Sequence, residues 1–155
     1  MRADIYIMTT FRGVKQKEGK VMYLIRVKRN GEDKTLCRCH SLTDATPLMA
    51  ERRTLIVALR NLRVPGSARM HPGYEPHIYI SRADLASAVG KWVEGWERVG
   101  WKTVDGKPVR HCEEWKELVE LLRDVEPVFH VNEAHEFYNW MKGEIGKCQA
   151  ESKRV

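Results

Sequence analysis

Between Lys91 and Trp115 the chain reads KWVEGWERVGWKTVDGKPVRHCEEW, which holds four of its five tryptophans. Arg98, Lys102, Lys107 and Arg110 are set among them. Cations that neutralise phosphates beside flat rings that stack on bases or sugars are what a nucleic-acid grip requires. The same spacing also fits plain packing. Trp92 and Trp96 lie one helical turn apart, on a stripe with Leu85, Val89 and Val93. Trp115 shares a second stripe with Leu118, Val119 and Leu122. Periodicity therefore predicts that Trp92 and Trp115 are core residues. Trp101 belongs to neither stripe. It follows Gly100, a helix-ending residue, and adjoins Lys102, a setting that suits a surface platform or a packing anchor.

Other chemistry is sparser. Cys37, Cys39, Cys112 and Cys148 have no C-x-x-C spacing to support a zinc site, and they read as free thiols in a reducing cytoplasm. Cys37 and Cys39 alternate along an expected strand and so share a face. The net charge of +6 suits a polyanionic partner. No apolar run is long enough to span a bilayer and no signal-peptide pattern is present, so a cytoplasmic protein without membrane contact is expected. At 155 residues the chain can bury a real core. Residues 1–150 are expected to form a single domain and residues 151–155 a flexible tail.

The elements that must position these residues follow from periodicity and punctuation. Residues 3–9 read as a first strand, and the segment from Arg12 to Lys20 as a basic loop. Val21 to Lys28 alternates as a second strand, Asn30-Gly31 signals a hairpin, and Lys34 to His40 forms a third. Asp44 or Thr46 caps a helix with Pro47 in its first turn, which runs to about Leu62 with Leu48, Leu55, Leu59 and Leu62 inward. A Pro/Gly loop spans Val64 to Tyr74, and His77 to Ser81 is a fourth strand. The tryptophan helices come next, the second from Cys112 to Arg123. Pro127 to Val131 is a fifth strand, and Glu133 to Gly146 a last helix with Phe137, Trp140, Met141 and Ile145 on one side. The order βββαβαβα predicts an α/β fold, a five-stranded mixed sheet flanked by helices.

The segment Gly100, Trp101, Lys102, Thr103, Asp105, Lys107, Pro108 and Val109 resembles, without gaps, the type 1 ribonuclease H family, whose pattern here is G-W-K-T-x-D-x-K-P-V. A W-x-x-x-W before it and a Trp six residues after it extend the match. The resemblance implies the ribonuclease H-like fold, and it identifies this segment as the basic handle that helps to hold an RNA/DNA hybrid. It also implies a site of four carboxylates holding two Mg²⁺ roughly 4 Å apart, one ion activating water and the other steadying the leaving oxygen. Carried over by position, those acids fall on Met8, Glu51, Ser81 and a residue near Asn139. Only Glu51 is acidic. The histidine loop of the family is shortened here, with His130 at best a weak stand-in, and glycines after the first strand give way to Lys15, Lys17, Glu18 and Lys20.

One carboxylate cannot chelate a Mg²⁺ pair, and the thioether of Met8 is soft where a hard oxygen is wanted. Glu51 is then either a leftover metal ligand or a partly exposed acid paired with Arg52, Arg53 or another base. A relocated cluster of Glu51, Asp84 and Glu136 is the remaining route to a metal site.

The expectation is a ribonuclease H-like pseudoenzyme that binds an RNA/DNA hybrid or other A-form-like duplex. Trp96, Arg98, Trp101, Lys102, Lys107 and Arg110 would carry the binding, with Thr46 where the family contacts a phosphate. No cofactor is expected, and Mg²⁺ or Mn²⁺ only if the chain is active. The alternatives are an active metal-dependent ribonuclease H using relocated acids, and a dead fold used as a protein-interaction module.

Overall fold

The computed structural model describes residues 1–148; the tail expected at 151–155 lies outside the described residues. Three strands open the chain: β1 (Arg2–Thr9), β2 (Gln16–Arg29) and β3 (Glu32–Ala45). They form an antiparallel meander. Its second turn places Asn30 at φ 54° and Gly31 at φ 79°, the paired left-handed geometry that lets a two-residue hairpin follow the strand twist. β2 begins at Gln16, so most of the expected basic loop is strand: Lys20 pairs with Ser41, and Glu18 with Thr43. Antiparallel pairing with a long β3 satisfies backbone groups that a loop would leave to water.

Helix α1 (Pro47–Arg60) starts at Thr46, whose Oγ1 accepts from the Met49 amide at 3.2 Å. Asp44 sits at φ 52° and is not the cap. After β4 (Glu75–Ile80) come α2 (Ala83–Ser87), a π-helical turn (Ala88–Trp92) and α3 (Val93–Arg98), then α4 (Cys112–Leu121), β5 (Val128–Val131) and α5 (Tyr138–Lys147). The sheet order is β3-β2-β1-β4-β5, with β4 parallel to both β1 and β5. This is the mixed five-stranded sheet that the element order predicts.

The sheet is covered on both faces. Ala3, Ile5 and Ile7 of β1 join Leu55, Leu59, Leu85, Trp115 and Leu118 in the larger core. Tyr6 and Met8 face the other way, with Met141 and Ile145 of α5. That alternation is the period of a strand buried on both sides.

The structure corrects three expectations. Trp92 is 51% exposed, not core. The buried positions step from Leu85 and Ala88 to Val93, and the five-residue stride from Ala88 is that of the π turn. One extra residue in that turn rotates Trp92 outward. α5 begins at Tyr138 because residues 132–137 form an irregular turn with Asn132 at φ 55°, and Trp140 is half-exposed at the margin of the Met141–Ile145 face. Finally, Cys39 and Cys148 are joined in a disulfide that fastens the end of α5 to β3, leaving Cys37 and Cys112 as the free thiols. Partners separated by 109 residues leave no trace in local spacing.

Trp115 is buried, and Trp115→Ala is expected to cost about 3–5 kcal/mol, as for other large core aromatics. Trp92→Ala is expected to stay within about 0.5 kcal/mol. Denaturant melts of the two variants check both values, and a large loss at Trp92 would contradict the register set by the π turn.

Candidate nucleic-acid interface

A groove of about 850 Å³ opens where β1 and β4 end, between α1 and α5. Met8, Glu51 and Ser81 all line it, so three of the four positions carried over by resemblance do converge. Met8 stands two residues past Tyr6 and Ser81 two past Tyr79, and those tyrosines are register partners. The fourth position does not converge. Asn139 is exposed and does not line the groove, whereas Tyr138, Lys142 and Ile145 of α5 do.

Glu51 is 3% exposed, and both its oxygens are occupied. Oε1 accepts from the amides of Ser81 and Arg82, each at 3.0 Å, and Oε2 accepts from Ser81 Oγ at 2.6 Å. Burial pushes its pKa up against the pull of these donors. The reading of a partly exposed acid paired with Arg52 or Arg53 is overturned. Those arginines go to Glu114: Arg52 Nη2 to Oε1 at 3.0 Å, and Arg53 Nε and Nη2 to Oε1 and Oε2 at 3.0 and 3.2 Å.

The relocated cluster does not form either. Asp84 takes a two-pronged bond from Arg82 at 2.9 and 2.8 Å, and Glu136 is paired with Arg26. Among the described residues no three His, Cys, Asp or Glu side chains could share a metal ion. His130 is held in the sheet. It stacks on Tyr79 at 4.3 Å, its Nε2 is 2.9 Å from His77 Nδ1, and its Nδ1 is 3.0 Å from Glu133. The histidine that lines the groove is His135, which carries no motif and escapes a reading of the sequence.

The second feature is the segment after α3. Gly100 at φ 70° and Trp101 at φ 61° reverse the chain. A short hairpin then closes through Thr103 N to Lys107 O at 2.7 Å and Val109 N to Trp101 O at 2.8 Å. Lys102, Lys107 and Arg110 stand exposed on it without an ion-pair partner among the described residues. Arg98 is bonded to Glu94 at 3.0 Å. Trp96 and Trp101 are half-buried, 6.0 Å apart, and Trp96 lies 5.7 Å from Trp115. Trp101 is thus in large part a packing anchor, with Lys116 Nζ 5.9 Å from its ring. Thr46 serves α1 as its cap.

Comparison with known proteins places this geometry. No protein-family profile matches the chain. Proteins named Ribonuclease H do: that of Rhizobium etli is 32% identical over 126 residues, 81% of this chain and 71% of that one. The Aliivibrio salmonicida protein is 30% identical over 132 residues, 83% and 70% of the two chains. The chain belongs to the ribonuclease H family. It spans 64% of the length of another such relative, from Rhizobium johnstonii, at 32% identity. Among solved structures, LC9-RNase H1, a type 1 RNase H with the type 2 active-site motif, superposes with a TM-score of 0.69 at 18% identity, covering 93% of this chain and 69% of that one. The foamy viral protease-reverse transcriptase in complex with dsDNA gives 0.64 at 17% identity, covering 93% and 89%. LC11-RNase H1 in complex with RNA/DNA hybrid gives 0.53 at 16% identity, covering 84% and 86%.

The ribonuclease H metal pair does not fit the groove as it stands. A thioether at Met8, a hydroxyl spent on Glu51 at Ser81, and a lysine on α5 offer no set of hard anionic ligands. Glu51→Gln tests whether Glu51 serves the fold as a hydrogen-bond acceptor. A glutamine can keep its carbonyl toward both amides and turn its NH₂ toward Ser81 Oγ, so its melting temperature is expected to stay close to that of the parent. Glu51→Ala leaves two amides unsatisfied and is expected to cost about 2–5 kcal/mol. Equal losses in the two variants, followed by thermal melting, would mean that the carboxylate charge itself is what the site needs.

Proposed function

We propose that this chain binds nucleic-acid duplexes, an RNA/DNA hybrid or an A-form-like RNA duplex, through the handle from Trp96 to Arg110, and that it does not hydrolyse them. The observation that carries this reading is the set of three cations, Lys102, Lys107 and Arg110, exposed on one short hairpin and without ion-pair partners among the described residues. Their mount is rigid. Trp101 packs on Trp96, Trp96 on Trp115, and Arg52 under Trp115 is tied to Glu114. A fixed row of cations tracks a backbone and reads duplex shape, not base sequence. Arg98, balanced by Glu94, contributes less. Thr46 and the free face of Trp101 are secondary contacts in this scheme. Relatives of about 30% identity named Ribonuclease H, and fold neighbours solved with RNA/DNA hybrid and with dsDNA, make a duplex the ligand class to test.

A second reading, a protein-docking face, draws on Trp92 and Val99, which are 51% and 59% exposed beside the handle. Salt dependence separates the two readings. Each phosphate neutralised contributes about −0.9 to the slope of log K against log salt, so the three handle cations contribute about −3. In anisotropy titrations with a labelled hybrid, Lys102→Ala and Lys107→Ala should each flatten the slope by about one unit, whatever the base sequence. No binding to hybrid, duplex RNA or duplex DNA at low salt would overturn the proposal and leave the docking face.

A further inference from the structure

The charges in the groove are the reverse of what a metal site needs. Each nearby carboxylate is already engaged: Glu51 by three donors, Glu133 by His130, and Asp84 by Arg82. Arg82 is neutralised in the same pairing. Two cations that line the groove have no ion-pair partner among the described residues, Arg12 and Lys142. Arg12 spends Nη1 on the carbonyls of Thr9 and Phe11 at 2.9 and 2.8 Å, which fixes the guanidinium and leaves its other donors without a partner among the described residues. Lys142 makes no ion pair among the described residues, and its Nζ stands 6.0 Å from the Tyr138 ring. His135 adds a neutral donor. Its Nδ1 accepts from the Phe137 amide at 3.2 Å, so the ring proton sits on Nε2, and burial lowers its pKa.

We infer that the groove is itself a phosphate site, in which Arg12 and Lys142 hold a phosphodiester of the bound duplex directly, where the relatives' pattern of acids would place metal ions. A divalent cation would meet two positive charges that have no ion-pair partner among the described residues; a phosphodiester meets two donors of opposite sign, of which Arg12 is held in place by the Thr9 and Phe11 carbonyls. The inference rests on the nucleic-acid reading of the handle and adds a second, separate contact to it.

The test is run entirely in EDTA with the same labelled hybrid. Lys142→Ala and Arg12→Ala are both exposed substitutions, with folding confirmed by the melting temperature. Each should flatten the salt slope by about one further unit, while Lys34→Ala, on the far hairpin, leaves it unchanged. In parallel, lysine acetylation mapped by mass spectrometry should show Lys142 protected when hybrid saturates the protein. Lys102 and Lys107 protected with Lys142 as reactive as in the free protein, and a slope unmoved by both variants, would overturn the groove site and leave the handle standing. No protection anywhere would overturn both.

Discussion

A buried carboxylate joins the two halves of this molecule. Glu51 leaves α1 inside the fold and accepts three hydrogen bonds from Ser81 and Arg82, where the chain leaves β4 for α2. Removing such a group from water is costly unless its lone pairs are filled, and here they are filled by two amides and a hydroxyl. The contact fixes the end of β4 and with it the start of the helices that carry the handle. It also decides the chemistry. A carboxylate with one oxygen held by two amides and the other by the Ser81 hydroxyl is not presented to an ion.

The next residue of α1 makes the complementary link. Arg52, fully buried, reaches Glu114 on α4 and lies 4.9 Å from the Trp115 ring. Burial raises the Glu114 carboxyl, but the bonds from Arg53 and Arg52 outweigh it and hold its pKa low. A buried arginine without its carboxylate would cost about 3–5 kcal/mol, so α4 is held in place against α1. Successive residues of one helix thus set the groove and the base of the handle. The disulfide from Cys39 to Cys148 fixes the remaining wall by anchoring the end of α5, the helix that brings Tyr138 and Lys142 to the groove.

Much of this was legible in the residues because its causes are local. β-Branched and aromatic content gave β1, alternation β2, Asn30-Gly31 the hairpin, Thr46-Pro47 the start of α1, and Trp115 with Leu118 and Leu122 a buried face. What was not legible has causes beyond the reach of local pattern. The π turn that exposes Trp92 leaves no mark in the pattern, since a stripe at helical spacing looks the same with or without the inserted residue. The partners of Glu51 lie thirty residues away in the chain, and those of Cys39 farther still. The shortened turn before α5 shifts the helix register, so that Lys142, not Asn139, meets the groove. The resemblance put Met8 on the first strand and, counting back from the handle, Ser81 at the end of the fourth, and the fold brings both to one groove with Glu51.

We propose that this member of the ribonuclease H family holds duplexes without cutting them. The most direct measurement incubates the purified chain with an end-labelled RNA/DNA hybrid across a series of Mg²⁺ and Mn²⁺ concentrations and resolves bound complex and RNA fragments in the same samples. The account predicts shifted hybrid with its RNA strand intact at every metal concentration, and the same shift in EDTA. RNA fragments that grow with enzyme and metal, and vanish in EDTA, would contradict it.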